Sequence, residues 1–139
     1  MFIVSEIYKS KKIFKTLWPG SKCTDVSSLS IDGSQIASSH FNKQIHFNDT
    51  RGTKDNKRVV TLGGRITGLA SPSDFSPLLL AVTRDNEINV IDIRQMVTRI
   101  KLTDQEYRVG ADYSRCSFSV SDFVIIGLFG EGIFAVRIF

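Results

Sequence analysis

The sequence predicts an all-β protein assembled from repeated four-stranded units, on three observations. Short runs rich in β-branched and aromatic residues recur along the 139-residue chain, with almost no helical period. The segments Gln44–Asp49 (QIHFND), Glu87–Asp92 (EINVID) and Gly132–Arg137 (GIFAVR) align without a gap, and their last residues lie 43 and 45 positions apart. The joints between the runs carry Gly, Asp, Asn, Ser and Pro, the residues that supply turn geometry.

The runs fall into sets. Residues 26–31, 35–40, 44–48 and 58–62 form one set of four, and 66–70, 78–82, 87–91 and 97–102 form a second. Residues 115–120, 123–128 and 132–138 give three strands of a third, and 13–18 reads as the lone last strand of a set begun earlier. A period of about 40 to 45 residues, four strands per unit and an Asp closing the third strand are the marks of a WD-repeat β-propeller blade. The expected architecture is therefore a propeller fragment of about three four-stranded blades out of about seven. Its segments are 1–18, the end of a preceding blade; 19–62 and 63–102, two whole blades; and 103–139, a blade lacking its outer strand. The dipeptide itself is degenerate, with Asn48-Asp49, Ile91-Asp92 and Val136-Arg137 where Trp-Asp is usual.

Turn chemistry agrees with this division. His40-Phe41-Asn42, Arg84-Asp85-Asn86 and Phe129-Gly130-Glu131 separate second from third strands, and Ile31-Asp32-Gly33 reverses the chain after a first strand. Asn, Asp and Gly tolerate left-handed backbone, and Asx side chains bond their own backbone. Asn42, Asp49, Asp85 and Asp92 are thus expected to be structural turn residues.

Composition narrows the functional classes. With 42% apolar and 23% charged residues, the chain is expected to fold. A net charge of +4 is mild, and its loose basic groups (Lys9 to Lys15; Lys54, Lys57 and Arg58) read as solvated edge charge, so no nucleic-acid partner is expected. Two cysteines, Cys23 and Cys116, suit a reducing compartment. The N-terminus is unlike a secretory leader, and the apolar stretch Phe123 to Phe129 is far short of the roughly 20 residues that span a bilayer. A cytoplasmic location is expected.

No enzyme is expected either. His40, His46, Cys23 and Cys116 lack metal-ligand spacing, and a hydrogen bond from His40 to Asp25 within its blade is expected instead. Cys116, in an inner strand, reads as a small buried hydrophobe with no base beside it. The glycines at 63, 64, 127, 130 and 132 do not open a helix, so they make no phosphate cradle. Asp112 with Tyr113 is expected to fix the start of the third unit. Neither catalytic residues, metal nor cofactor is assigned.

Five segments carry a resemblance: GSKCTDV (Gly20 to Val26), SHFNKQIHFNDTR (Ser39 to Arg51), GRITGL (Gly64 to Leu69), RDNEINVIDIR (Arg84 to Arg94) and VGADYSRCSFS (Val109 to Ser119). In this order they resemble the C-terminal WD-repeat propeller of the autophagy-related protein 16 family, from about residue 11 to residue 139. The resemblance implies a scaffold, in which an N-terminal segment and coiled coil recruit the conjugate that attaches a ubiquitin-like protein to phosphatidylethanolamine. The family's propeller docks partners, among them the vacuolar proton pump and receptor tails with a short aromatic motif. It reaches autophagic or endolysosomal membranes only through those partners. Nothing in this chain matches the coiled coil, so the lipidation step is not assigned to it.

The family's docking cluster is an Asn shortly before a first strand, a Phe in that blade's second turn and a Lys leading into the next blade. Thr24, Phe41 and Arg65 hold those places here. Phe41 matches, Arg65 keeps the charge and Thr24 departs from the pattern. Arg is not a neutral replacement for Lys, because its planar fork bonds differently. Alternating strand direction puts second turns and links between blades on one rim, so these three residues are expected to share a face. Packing of Phe41 against a neighbouring blade is the other reading, and a purely structural WD-repeat fragment of an unrelated complex is the other function. With blade faces left bare, near Phe14 and Trp18 at one end and Phe134 to Phe139 at the other, the isolated chain is expected to aggregate, to self-associate or to be a truncated reading of a longer gene.

Overall fold

The computed structural model describes residues 2–5, 13–17, 20–51, 58–112, 114–119, 124–129 and 132–137, with side chains for 20–51, 58–112 and 114–119. Among these residues every regular element is a strand, and all pairings are antiparallel. Strands β3 (Cys23–Ser28), β4 (Gln35–His40), β5 (Gln44–Asp49) and β6 (Arg58–Thr61) form one four-stranded sheet in chain order. Strands β7 (Ile66–Ala70), β8 (Leu78–Thr83), β9 (Glu87–Asp92) and β10 (Val97–Leu102) form a second in the same way. A three-stranded sheet follows, of β11 (Cys116–Phe118), β12 (Val124–Phe129) and β13 (Gly132–Arg137).

One expectation is corrected at the start of the chain. Ile13–Leu17 (β2) is not a lone strand, because Phe2–Ser5 (β1) pairs with it from Phe2↔Leu17 to Ser5↔Ile13. The run Phe-Ile-Val-Ser is too short to show a period, and a basic segment separates it from its partner, so no sequence signal marked it. Trp18 lies outside the described residues, as do the side chains of Phe14 and Phe134 to Phe139. The first strand of the first set also begins earlier than expected, at Cys23 rather than Val26, whereas β7 begins at Ile66 as expected and β11 is shorter than the expected 115–120.

Period-two alternation decides which sheet each side chain meets. On β8, Leu79 and Ala81 join Ala37, Ile45, Phe47, Val60 and Leu62 from the first sheet. Leu80 and Val82 point the other way, into a cluster with Ile88, Val90, Tyr107 and Val109, against which Cys116 and Phe118 pack. The second sheet is therefore covered on both faces, which explains why Leu78 to Val82 reads as an unbroken apolar run. Its outer strand β10 alternates between exposed and half-buried residues instead.

The turns repeat with the strands. Lys43 and Asn86 both adopt left-handed backbone (φ 69° and 65°), with their amides donating to the carbonyls of His40 and Thr83 at 3.2 and 3.1 Å. The left-handed position thus falls one residue after Asn42 and Asp85. Asn42 donates to the Gln44 side chain at 3.0 Å, and Asp85 accepts from the Thr83 hydroxyl. Asp49 and Asp92 close β5 and β9 by accepting the amides of Arg51 and Arg94, each at 2.9 Å.

An ion pair closes the inner edge of β7. Thr67 and Leu69 point a carbonyl and an amide away from β8, as alternate residues of an edge strand must. The Leu69 amide donates to Asp25 Oδ2 at 2.8 Å, and Arg115 Nη1 donates to the Thr67 carbonyl at 3.3 Å. Asp25 and Arg115 then pair at 2.6 Å. One residue from β3 and one from the lead-in to β11 thus cap an amide and a carbonyl on the strand between them. At the far end of β3, the Ser71 hydroxyl donates to the Ser28 carbonyl at 2.7 Å and lies 2.8 Å from the Ser27 hydroxyl.

Gly68 allows this approach. A Cβ there would stand 2.7 Å from the Ser114 carbonyl oxygen and 3.3 Å from Arg115 Cα. Backbone atoms cannot rotate away as a flexible side-chain tip does. Gly68→Ala is expected to destabilise the chain by about 1–3 kcal/mol, measured by denaturant unfolding, as overpacking commonly does. Unchanged stability would mean that β7 and the lead-in to β11 are not in contact.

Candidate functional site

Lead-ins and second turns meet along one edge of the sheets. The Phe41 amide donates to the Lys22 carbonyl at 2.9 Å, and the Leu62 amide to the Lys43 carbonyl at 2.9 Å. One unit on, the Arg84 amide donates to the Arg65 carbonyl at 2.8 Å, and the Val109 amide to Asn86 Oδ1 at 2.8 Å. The rim holding the β4–β5 and β8–β9 turns is therefore tied by backbone amides, three donating to carbonyls and one to a side chain.

Phe41 is half-buried on this rim, with two cations over its ring: Lys22 Nζ at 5.0 Å from the centroid and Arg65 Cζ at 4.5 Å. Each such contact is worth about 0.5–1 kcal/mol at an exposed site. Arg65 Nη2 also donates to Asp112 Oδ1 at 2.8 Å, and Arg84 Nε lies 3.4 Å from the same oxygen. The Arg65 and Asp112 side chains are 37% and 49% exposed, so solvent screens the pair and its net worth is at most about 1 kcal/mol. Arg84 is further held by donating to the Val109 carbonyl at 2.6 Å.

Phe41 and Arg65 are brought together, and Thr24 is not part of their contact. Thr24 lies inside β3 rather than ahead of it, at a register shift between Cys23 and Asp25, and its hydroxyl is 2.7 Å from that of Ser39. Thr67 occupies the matching shift in β7. Lys22, Arg84 and Asp112 complete the cluster, beyond the three residues the resemblance implies. The repeat spacing carried a signal for two of them, since Lys22 and Arg65, like Phe41 and Arg84, are 43 positions apart. Asp112, in the link ahead of β11, pairs with both arginines, while Tyr113 lies outside the described residues.

His40 does not bond Asp25, which corrects the expectation. Asp25 reaches toward β7, whereas the buried His40 ring has Nδ1 3.2 Å from the Ser21 carbonyl and Nε2 2.9 Å from the Ser38 hydroxyl. A carbonyl only accepts, so Nδ1 carries a proton, and in the neutral ring Nε2 accepts from the Ser38 hydroxyl. The His46 ring stands edge-on at 4.9 Å. Burial lowers the affinity of His40 for a second proton, and the neighbouring His46 adds to this, against the opposing effect of the Ser21 carbonyl.

Elsewhere, burial pushes the Cys116 thiol up to about 12 and raises that of Cys23, which removes the thiolate a nucleophile needs. Among the described residues no three His, Cys, Asp or Glu side chains gather in a way that could hold a metal ion, and no helix is long and apolar enough to cross a membrane. Of the basic groups, Arg58 donates to the Ile93 carbonyl at 2.6 Å, while Lys54 and Lys57 and the Lys9 to Lys15 side chains lie outside the description.

Fold and site together define a class: an all-β protein of repeated four-stranded antiparallel sheets with a cation–aromatic cluster on one rim. No family model matches the chain. It is 29% identical over 122 residues to autophagic-related protein 16.2 of Caenorhabditis elegans, covering 86% of this chain and 22% of that protein. It is 27% identical over 106 residues to protein tipD of Dictyostelium discoideum, covering 76% of this chain and 17% of that one. The chain thus spans about a fifth of the length of these relatives. The solved structure of U3-55K superposes with a TM-score of 0.65 at 14% identity, over 84% of this chain and 35% of that one, a likeness of fold alone.

The histidine geometry has a pH consequence. A group whose proton affinity is lowered by folding loses stability as pH falls through its unfolded value, about 6.5 for His. The urea midpoint is expected to fall between pH 7 and 5, and to fall less in His40→Gln. An equal fall in both chains would place the titrating group elsewhere.

Proposed function

We propose that the chain is a non-catalytic protein-docking module of an autophagy scaffold, a WD-repeat propeller segment of about three blades out of about seven. In this reading residues 19–62 and 63–102 are whole blades, 103–139 is a blade lacking its outer strand, and 1–18 belongs to the blade before. The scaffold directs lipid conjugation of a ubiquitin-like protein, and this segment supplies docking. Its partners are the autophagy conjugation machinery, the vacuolar proton pump and receptor-tail peptides. It works in the cytoplasm, reaches autophagic or endolysosomal membranes through those partners, and uses no cofactor.

The observation that carries the proposal is the contact of Phe41 with Arg65, on a chain whose curated relatives include an autophagic protein. A half-buried aromatic flanked by cations is a common anchor for an extended peptide. Lys22 takes the third place in the cluster, and Thr24 acts indirectly by fixing the β3 bulge. The second reading, a structural fragment of an unrelated complex, draws on the fold likeness to U3-55K. A coiled coil encoded ahead of this stretch separates the two, because the first reading requires it.

Pull-down of proton-pump subunits or receptor-tail peptides by the full chain tests the rim. Phe41→Ala and Arg65→Ala are each expected to weaken capture about tenfold or more, as truncating an anchor residue does. Capture undiminished in both variants contradicts the assignment.

A further inference from the structure

We infer that Asp112 is a built-in competitor for the docking rim, and that the rim's ligand is an acidic, extended protein segment whose carboxylate takes Arg65 by displacing it. This rests on the docking reading above and deepens it.

The cations around Phe41 face the same way as the site. Lys22 and Arg65 stand over the ring, Lys43 is exposed two residues on, and Arg84 lies beside Arg65. Against them Asp112 contributes one carboxylate, and a single oxygen of it, Oδ1, serves both arginines. That carboxylate is half exposed and belongs to the link between β10 and β11, so it can swing out without disturbing a strand. A guanidinium has five N–H donors. Among the described residues the bond to Asp112 is the one that engages Arg65's fork.

The free rim therefore presents Arg65 already orientated by Phe41 on its face and by Asp112 on its edge. An incoming Glu or Asp side chain finds the fork in position, and it exchanges one exposed ion pair for another. The exchange is nearly balanced in free energy, which leaves affinity to the added contacts with Lys22 and Phe41. Selectivity follows, because a neutral segment has no carboxylate to displace Asp112 and a basic one meets like charge at Lys22 and Arg84.

The test uses the full chain and a fluorescein-labelled oligo-glutamate peptide of about ten residues, long enough when extended to cross the rim. Binding is followed by fluorescence polarisation at low salt, with thermal melts confirming that each variant is folded. Asp112→Asn is expected to tighten binding about two- to fivefold, Asp112→Glu to leave it unchanged and Arg65→Ala to weaken it. Glu106→Gln removes one charge from the same link without touching Arg65, and it is expected to have no such effect. Tightening by Glu106→Gln equal to that by Asp112→Asn, no tightening by Asp112→Asn, or preference for phosphatidylserine vesicles over the peptide would each overturn the proposal. Failure here with partner capture still lost in Phe41→Ala removes the competitor and keeps the docking reading.

Discussion

The arrangement depends on how the free edge of β7 is closed. An edge strand leaves alternate amides and carbonyls unpaired, and in a structure of separate sheets no neighbouring strand supplies them. Here a carboxylate from the sheet before takes the Leu69 amide, and a guanidinium from the lead-in to the sheet after is placed on the Thr67 carbonyl. The two groups neutralise each other at 2.6 Å, so neither stays an uncompensated charge in the joint. Gly68, between the two capped residues, has no Cβ to hold the strands apart.

The rim follows from that constraint. Once β3, β7 and the lead-in to β11 are set at a fixed distance, the turns at their common end are fixed as well. Arg65 then reaches backward to Phe41 in the first unit and forward to Asp112 in the link to the third. The apolar clusters on either side of the second sheet supply most of the stability, but they are non-directional. The directional contacts, Asp25 with Arg115 and the backbone bonds along the rim, set where the side chains point.

Sequence pattern revealed the units because each repeats: the β5 and β9 copies end in an Asp that bonds its own turn, and the tight turns recur at Lys43 and Asn86. It did not reveal contacts made once. Asp25 has no counterpart in the second unit, where Gly68 stands 43 positions on, so nothing in the repeat pointed to its pairing with Arg115. The same gap misdirected the expected partner of His40. Phe2–Ser5 was missed for a different reason: four residues carry too little alternation to distinguish a strand from a loop. At the candidate site, resemblance alone points to Phe41 and Arg65, and the bulge that brings Thr24 inside β3 has no sequence marker.

Hydrogen exchange at the Leu69 amide reads the closure of β7 directly. In Asp25→Ala that amide is predicted to exchange about 5- to 150-fold faster, the range set by losing a bond worth about 1–3 kcal/mol, while the Val90 amide on β9 keeps its protection. A Leu69 amide as slow in the variant as in the unaltered chain would mean that something other than Asp25 holds that edge.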